Sequence, residues 1–192
     1  MKYLMAHPEL STIILVSRWA VYMEGKGFKK ELHQKFFTRD SLTQSLSSEE
    51  NRQVFKRTFE KTLTQLLTQG RKVVVVTSTP EAGFDIADSY ARAAMFDRAI
   101  DLRPTVKEYM DRQAHVLKVF DDNRNRDGLS FIRPHEAMCD AEYCQVLDDG
   151  RPVYRDDDHL TLTYAKKLSH LFDPVFRNMA DGNGLSLHHT AR

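Results

Sequence analysis

The sequence is poor in the features that mark specialised protein classes. Among its 192 residues it has only 2 cysteines, 8 glycines, 6 prolines and 1 tryptophan, which excludes a disulfide-stapled miniprotein and a low-complexity chain. No charge of one sign dominates, because 28 basic residues face 27 acidic ones and give a net charge of +1. Charge therefore gives no argument for a nucleic-acid partner.

Long apolar runs are absent as well. No stretch of the sequence approaches the roughly 20 apolar residues that a membrane helix needs. Lys2 is followed by no sustained apolar segment, so the beginning of the chain does not have the pattern of a signal peptide. With 41% hydrophobic residues, the sequence has enough apolar material for one globular domain of ordinary size.

Strand-like and helix-like segments alternate along the chain. Residues 12–16 are an apolar run without polar alternation, which is typical of a strand buried on both faces. A helix follows over residues 47–70, because a capping-box pattern precedes it, apolar residues recur on one face, and Gly70 can end it. Residues 72–77 are a second buried strand. This order predicts a βαβ crossover and hence an α/β fold with a mainly parallel sheet.

The rest of the pattern predicts further elements and one long excursion. We expect helices over 86–97, 105–120 and 161–172, a strand over 129–132, and a hairpin over 145–154 that turns at Asp149-Gly150. Residues 25–46 are basic, aromatic and irregular, which predicts an excursion over the surface. Within it, residues 26–39 form either a solvated loop or a sugar-binding or docking loop. We assign residues 1–173 to one partial domain and residues 174–192 to a flexible C-terminal tail.

The sharpest candidate for chemistry is the segment of three aspartates and a histidine, residues 156–159, ahead of the last helix. Asp156 can hydrogen-bond the imidazole of His159, fix its tautomer, and stabilise the imidazolium that forms when the histidine acts as general base. Two other interpretations stay open. The carboxylates can be a solvated loop that caps the helix, or the aspartates and the histidine can bind a metal ion.

Two other loops follow strands, where reactive residues gather in open parallel sheets. Arg18 and Trp19 follow the first strand. Either they line a pocket, or Trp19 covers the rim of the core while Arg18 pairs with a carboxylate. Thr79 and Glu81 follow the second strand and are candidate pocket residues. By residue type the candidate nucleophiles are Ser17, Ser78 and Ser130, none of which lies in a glycine-flanked turn.

The two cysteines, Cys139 and Cys144, are separated by four residues. They predict a local disulfide in an oxidising compartment and free thiols in the cytosol. Zinc binding together with His135 is a third alternative, although the spacing matches no common zinc finger. In exported protein we expect the disulfide.

Several of these motifs, taken in order, resemble a known family. They are the runs TIILVSRWAVYMEG, KVVVVTSTPEAGFDI and FIRPHEAMCDAEYCQVLDDGRPVYRDDDHLTLTYAKKL. Together they resemble the SGNH-type domain fused to the C-terminus of membrane acyltransferases that O-acylate bacterial surface polysaccharides. The resemblance covers residues 3–171. Its most specific parts are the Ser-Arg-Trp after the first strand, the Thr-Pro-Glu after the second, the cysteine pair, and the segment before the last helix.

The resemblance implies a fold and a set of roles. The fold is a flavodoxin-like three-layer sandwich, SGNH hydrolase-like, with its first strand and helix missing from this chain. Asp156 and His159 match the family's D-x-x-H pair, with His159 as general base and Asp156 as its orienting partner. Ser17-Arg18-Trp19 stands where related hydrolases carry G-x-N-D, and it lacks the asparagine that helps to bind the oxyanion. The family's nucleophilic serine lies in a G-D-S block that does not occur in this sequence.

The function implied is that of the C-terminal part of an SGNH acyltransferase or esterase domain, which transfers or removes O-acyl (acetyl) groups on a bacterial cell-surface glycan. Without the serine block we expect this chain to be catalytically incomplete. Its partners would be the glycan, an acyl donor and the membrane acyltransferase domain in cis or in trans, with no nucleic acid, no cofactor and no metal ion. Its location would be the periplasmic face of the bacterial inner membrane. The alternatives are a free-standing SGNH esterase with a misassigned start, and a non-catalytic interaction domain.

Overall fold

A computed structural model describes residues 2–182 of the chain, and its side chains through residue 177. The elements follow one another as α1 (Lys2–Ala6), β1 (Thr12–Val16), α2 (Trp19–Glu24), α3 (Ser48–Leu67), β2 (Lys72–Val76), α4 (Ile86–Met95), α5 (Val106–Asn123), β3 (Leu129–Ile132), α6 (Pro134–Met138), β4 (Leu147–Asp148), β5 (Arg151–Pro152), α7 (Leu162–Lys167) and α8 (Asp173–Gly182). The predicted alternation of strands and helices is confirmed, with ends that move by one to a few residues.

The central sheet has three parallel strands in the order β1-β2-β3. Ile14 pairs with Val74, and Val74 pairs with Ser130, so the sequence order of the strands is also their order in space. The crossovers between them are helical, as the βαβ pattern predicts. Because the strands are parallel, all three end at the same edge of the sheet, and the loops that follow them meet there.

Helices α2, α3 and α5 cover one face of this sheet with the main hydrophobic core. Ser47 caps α3 by accepting a hydrogen bond from the backbone N–H of Glu50. From there Phe55, Phe59 and Leu63 recur on the buried face of the helix. They pack against the β2 side chains that point to that face and against α5. Further along, Gly70 has a φ of +73°, the left-handed conformation in which glycine is favoured.

The opposite face of the sheet is covered by the C-terminal segment. Ile14, Val74 and Ile132 pack there against the residues around Phe172 and Val175. A cavity of about 380 Å³ remains between the sheet and this segment. With helices on both faces, the three-layer α/β arrangement expected from the sequence is confirmed.

Three local expectations are corrected by the structure. The predicted helix over 161–172 is α7 followed by a 3-10 turn at Leu168–Phe172. The predicted tail begins with helix α8, and residues 183–192 of that prediction lie outside the described residues. A reciprocal capping box is found at the start of α5, between Thr105 and Glu108. At α3 the side chain of Glu50 instead forms an ion pair with Arg57.

The excursion over residues 25–46 contains little regular structure, as expected, but it is anchored at several points. A short 3-10 helix, Lys29–Glu31, and an isolated bridge between Lys26 and Lys35 shape its first half. In its second half, Asp40 forms an ion pair with Arg57 of α3. The first half lies over the carboxyl edge of the sheet, where the candidate site is found.

Candidate functional site at the carboxyl edge of the sheet

The imidazole of His159 is held by Asp156, three residues earlier in the loop before α7. The Nδ1 atom of His159 lies 2.9 and 3.1 Å from the two carboxylate oxygens of Asp156. The same carboxylate accepts hydrogen bonds from the backbone N–H groups of Asp158 (3.1 Å) and His159 (2.8 Å). This turn explains why a spacing of three residues brings the two side chains together.

The electrostatics of Asp156 favour its charged form. Burial opposes ionisation, but the hydrogen bonds from the two backbone N–H groups and from His159 outweigh it and hold the pKa of Asp156 well below its usual range. A charged Asp156 accepts a hydrogen bond from Nδ1–H of His159. Nε2 is then the ring nitrogen available for proton transfer. The side chain of His159 is 61% exposed, so a reacting group can reach it.

Each of the three consecutive aspartates has a different main partner. Asp156 contacts His159. The side chain of Asp157 forms an ion pair with Lys30 of the excursion, with Nζ and Oδ1 3.0 Å apart. The Oδ2 atom of Asp158 lies 2.7 Å from Nε of Arg18. The loop that carries the candidate base is thus tied both to the excursion and to the end of β1.

Arg18 is the centre of a network of charges at this edge of the sheet. Its Nη2 atom donates to Glu31 and to Glu81, each at 2.7 Å. Glu81 in turn accepts a hydrogen bond from Nε of Arg112 at 2.8 Å, and both of these side chains are more than nine-tenths buried. Burial disfavours the charge on Arg18, but the hydrogen bonds to Glu31 and Glu81 outweigh it and raise the pKa of Arg18 above its ordinary value.

The side chain of Asp158 is much less hydrated than that of Asp156. Burial raises the pKa of Asp158 to about 6, against the opposing effect of the charges on Arg18 and His159. Its Oδ1 atom lies 3.1 Å from Nδ1 of His159. Two carboxylates therefore face the same ring nitrogen.

The structure separates Trp19 from Arg18. Trp19 is only 9% exposed and lies in the core, with its ring edge-on to Phe55, Phe59 and Phe120. Its indole N–H donates to the carbonyl of Val76 at 2.7 Å. Of the two alternatives that the sequence left open, this position is that of a residue covering the core, and Trp19 is removed from the candidate pocket residues.

The candidate residues after β2 also differ from one another. Glu81 belongs to the Arg18 network, whereas Thr79 is half-buried and makes no side-chain hydrogen bond within the described residues. The candidate nucleophiles lie elsewhere: Ser17 directly follows β1, Ser78 is buried, and Ser130 lies within β3. No serine of the described residues hydrogen-bonds to His159.

One possible ligand atom from each of Asp156, Asp158 and His159 lies within 4.8 Å of the others, which is close enough for the three side chains to bind one metal ion. The charge around them does not fit a divalent cation. The guanidinium of Arg18 lies 2.7 Å from Asp158, and Nδ1 of His159 is directed at the carboxylates rather than at a shared centre. The geometry fits an ion-paired histidine better than a metal site.

Cys139 and Cys144 are joined by a disulfide bond that closes a small loop after α6. Cys144 is fully buried, and its backbone N–H donates to the carbonyl of Pro104 at 2.8 Å. His135, the proposed zinc ligand of the third alternative, instead stacks on Tyr109 at a centroid distance of 4.6 Å. The loop therefore joins α6 to the segment before α5.

We expect replacement of both cysteines by serine to lower the free energy of unfolding by about 2 kcal/mol, because a loop of this length constrains the unfolded chain modestly. Urea denaturation of the oxidised protein and of the double variant measures the difference. Mass spectrometry of protein exported to an oxidising compartment, without reductant, provides the control. Two free thiols in that sample would contradict the assignment.

Sequence reasoning missed three partners of the site: Lys30, Glu31 and Arg112. The first two lie in the excursion and the third in α5, and no motif marks them. Their signal is charge complementarity, since the basic excursion faces a loop of three aspartates, but the sequence does not tell which charges meet.

The chain is similar to a solved structure and to a known protein family. No curated protein matches the chain. A solved structure that is similar to it is the periplasmic domain of a lipopolysaccharide acetyltransferase from Salmonella ser. Paratyphi A, with 15% sequence identity and a TM-score of 0.48 over 72% of this chain. This chain spans 54% of the length of that domain. Among the described helices, none has the length and apolarity required to cross a membrane.

The match to a family model covers more of this chain than the match to the solved structure does. The model describes the SGNH domain that is fused to AT3 domains, and it matches residues 1–174. The resemblance inferred from the sequence motifs is thereby confirmed: the chain belongs to the family of SGNH domains fused to AT3 domains.

Proposed function

We propose that the chain is the C-terminal part of an SGNH domain that transfers or removes O-acyl groups, such as acetyl, on a bacterial cell-surface glycan at the periplasmic face of the inner membrane. The observation that carries this proposal is the Asp156–His159 pair. The imidazole is exposed, its Nδ1 is held by a charged carboxylate at 2.9 Å, and Nε2 is left for proton transfer. Membership of the family supplies the acyl chemistry.

The reaction follows the logic of an Asp-His-Ser triad. Nε2 of His159 takes the proton from a serine hydroxyl as the serine oxygen attacks the acyl carbonyl carbon. Asp156 stabilises the imidazolium that forms. His159 then gives the proton to the departing alcohol, and an acyl-serine remains. In a second round His159 takes a proton from a glycan hydroxyl or from water as that oxygen attacks the acyl-serine carbonyl carbon. The bond from this carbon to the serine oxygen breaks, His159 returns the proton to the serine, and the acyl group is transferred or hydrolysed.

In our proposal, the nucleophilic serine is not one of the 192 residues of this sequence. The sequence has no Gly-Asp-Ser block, and no described serine hydrogen-bonds to His159. We infer that the block is supplied by the acyltransferase protein to which such a domain is fused, in cis or in trans. The scheme gives Arg18 no oxyanion role, because its Nη2 already contacts Glu31 and Glu81 and its Nε lies beside Asp158.

A covalent serine probe tests the proposal. We expect a fluorophosphonate to leave this chain unlabelled, and to label one serine stoichiometrically once a segment with the Gly-Asp-Ser block completes the domain. In the completed domain, His159→Ala abolishes labelling and lowers the turnover of an activated acetyl ester by about 10³-fold or more. Intact-protein mass spectrometry and ester kinetics are the measurements.

His115→Ala is the matched control. His115 is also half-exposed and also has Nδ1 near a carboxylate, 2.8 Å from Glu24, so its loss tests for a general effect of removing an ion-paired histidine. Labelling of a serine within residues 1–192, lost in His159→Ala, would show that the chain carries its own nucleophile. A completed domain that stays unlabelled would favour the non-catalytic interaction domain instead.

A further inference from the structure

Asp158 lies between the candidate base and the Arg18 network, and the D-x-x-H pattern gives it no role. Its Oδ1 atom is 3.1 Å from Nδ1 of His159, and its Oδ2 atom is 2.7 Å from Nε of Arg18. The side chain is only 6% exposed, whereas that of Asp156 is 29% exposed. Of the two carboxylates that face His159, that of Asp158 is therefore the less exposed to solvent.

A carboxylate this deeply buried requires compensation for its lost hydration. Within the described residues its Oδ2 atom has no aligned hydrogen-bond donor, so the compensation is the positive charge of Arg18. Arg18 is itself fixed by Glu31 and Glu81, which leaves it little freedom to leave Asp158. The position of Asp158 relative to the imidazole is thus set by Arg18.

We propose that Asp158 is a second positioning residue for His159, and that Arg18 acts on the base through Asp158. A negative charge beside Nδ1 favours the tautomer with the proton on that atom and keeps Nε2 free. Because Asp158 is desolvated, its charge acts through less water than that of Asp156 and is less screened. This inference rests on the proposed function, in which His159 is the general base. The effect of Asp158 on the imidazole can nevertheless be measured without catalysis.

The test is the tautomer of His159 in the 192-residue chain, read from the ¹⁵N chemical shifts of its two ring nitrogens at pH 9, where an imidazole is neutral. We expect the Nδ1–H form to dominate. In Asp158→Asn its ratio to the Nε2–H form falls about tenfold, the loss expected for one charge-assisted contact. Asp157→Asn is the matched control, because the side chain of Asp157 is about as buried as that of Asp158 but pairs with Lys30. In this variant we expect the tautomer ratio of His159 to stay unchanged.

Variants of Arg18 test the second half of the proposal. Arg18→Met reproduces the tautomer change of Asp158→Asn, and Arg18→Lys restores part of the ratio because a charge remains beside Asp158. Arg57→Met is the control for loosening of the excursion, since Arg57 is as exposed as Arg18 and ties Asp40 to α3. An unchanged ratio in Asp158→Asn, or an equal change in Arg57→Met, overturns the proposal. Since no serine is involved, such a failure would be separate from a failure of the ester assay.

Discussion

Trp19→Ala is expected to lower the free energy of unfolding by about 3–5 kcal/mol. The side chain is 9% exposed, and its ring packs edge-on against three phenylalanines at centroid distances of 5.6–6.2 Å. Its removal leaves a cavity at the junction of α2, α3 and α5, and it leaves the carbonyl of Val76 without its 2.7 Å donor. Chemical denaturation followed by far-ultraviolet circular dichroism measures the loss.

Trp19→Phe is the control that separates packing from the hydrogen bond. It keeps most of the aromatic contacts, loses only the indole N–H, and is expected to cost about 1–2 kcal/mol. If Trp19→Ala cost less than Trp19→Phe, or less than about 1 kcal/mol, Trp19 would not be the core residue that the structure describes.

The second large effect is expected for Glu81→Gln, which lowers the free energy of unfolding by about 3 kcal/mol. Glu81 bridges two arginines, with Nη2 of Arg18 and Nε of Arg112 2.7 and 2.8 Å away. Both Glu81 and Arg112 are almost fully buried. Removing the negative charge leaves the buried Arg112 guanidinium without a charged partner at Glu81, with the carbonyl of Lys26 and the ring of Phe28 as its remaining contacts within the described residues. Urea denaturation is the measurement.

Asp122→Asn provides the comparison, because Asp122 belongs to an exposed ion pair with Lys118 on α5. An exposed pair contributes about 1 kcal/mol or less, so this variant should be near wild type. Arg112→Met should lower the free energy of unfolding by less in the Glu81→Gln background than in the wild-type protein. In that background the charge of Arg112 has already lost the carboxylate that compensates it. Equal costs for the exposed and the buried carboxylate would contradict the network described here.

The fold could be predicted from the sequence where hydrophobic pattern and local stop signals agree. The valine run of β2 and the helix face of Phe55, Phe59 and Leu63 are explicit in the sequence, which predicts the ends of both elements to within a few residues. The C-terminal boundary was less accurate. A polar, glycine-containing segment predicts a loose tail, but the contacts of Phe172 and Val175 with the far face of the sheet support a helix that local propensity does not reveal.

At the site, too, contacts between residues close in sequence could be predicted, whereas contacts that depend on the fold could not. Asp156 and His159 are three residues apart, so a single turn of chain suffices to bring them together, and the spacing predicts it. Arg18 and Glu81 are 63 residues apart, and their contact depends on the parallel pairing of β1 and β2. Trp19 shows the limit most clearly: next to Arg18 in sequence, it points to the core, because consecutive side chains at the start of a helix diverge by about 100°.

β1 is paired only with β2 among the described residues, so one edge of the sheet presents its backbone N–H and C=O groups without a neighbouring strand. The strand carries no charged side chain, and Val16 at its end is 67% exposed. Edges of this kind are templates for intermolecular strand pairing, which natural proteins suppress with charges, prolines or a covering segment. In concentrated preparations of this chain we therefore expect intermolecular strand pairing at β1, and whatever shields this strand affects the solubility of the domain.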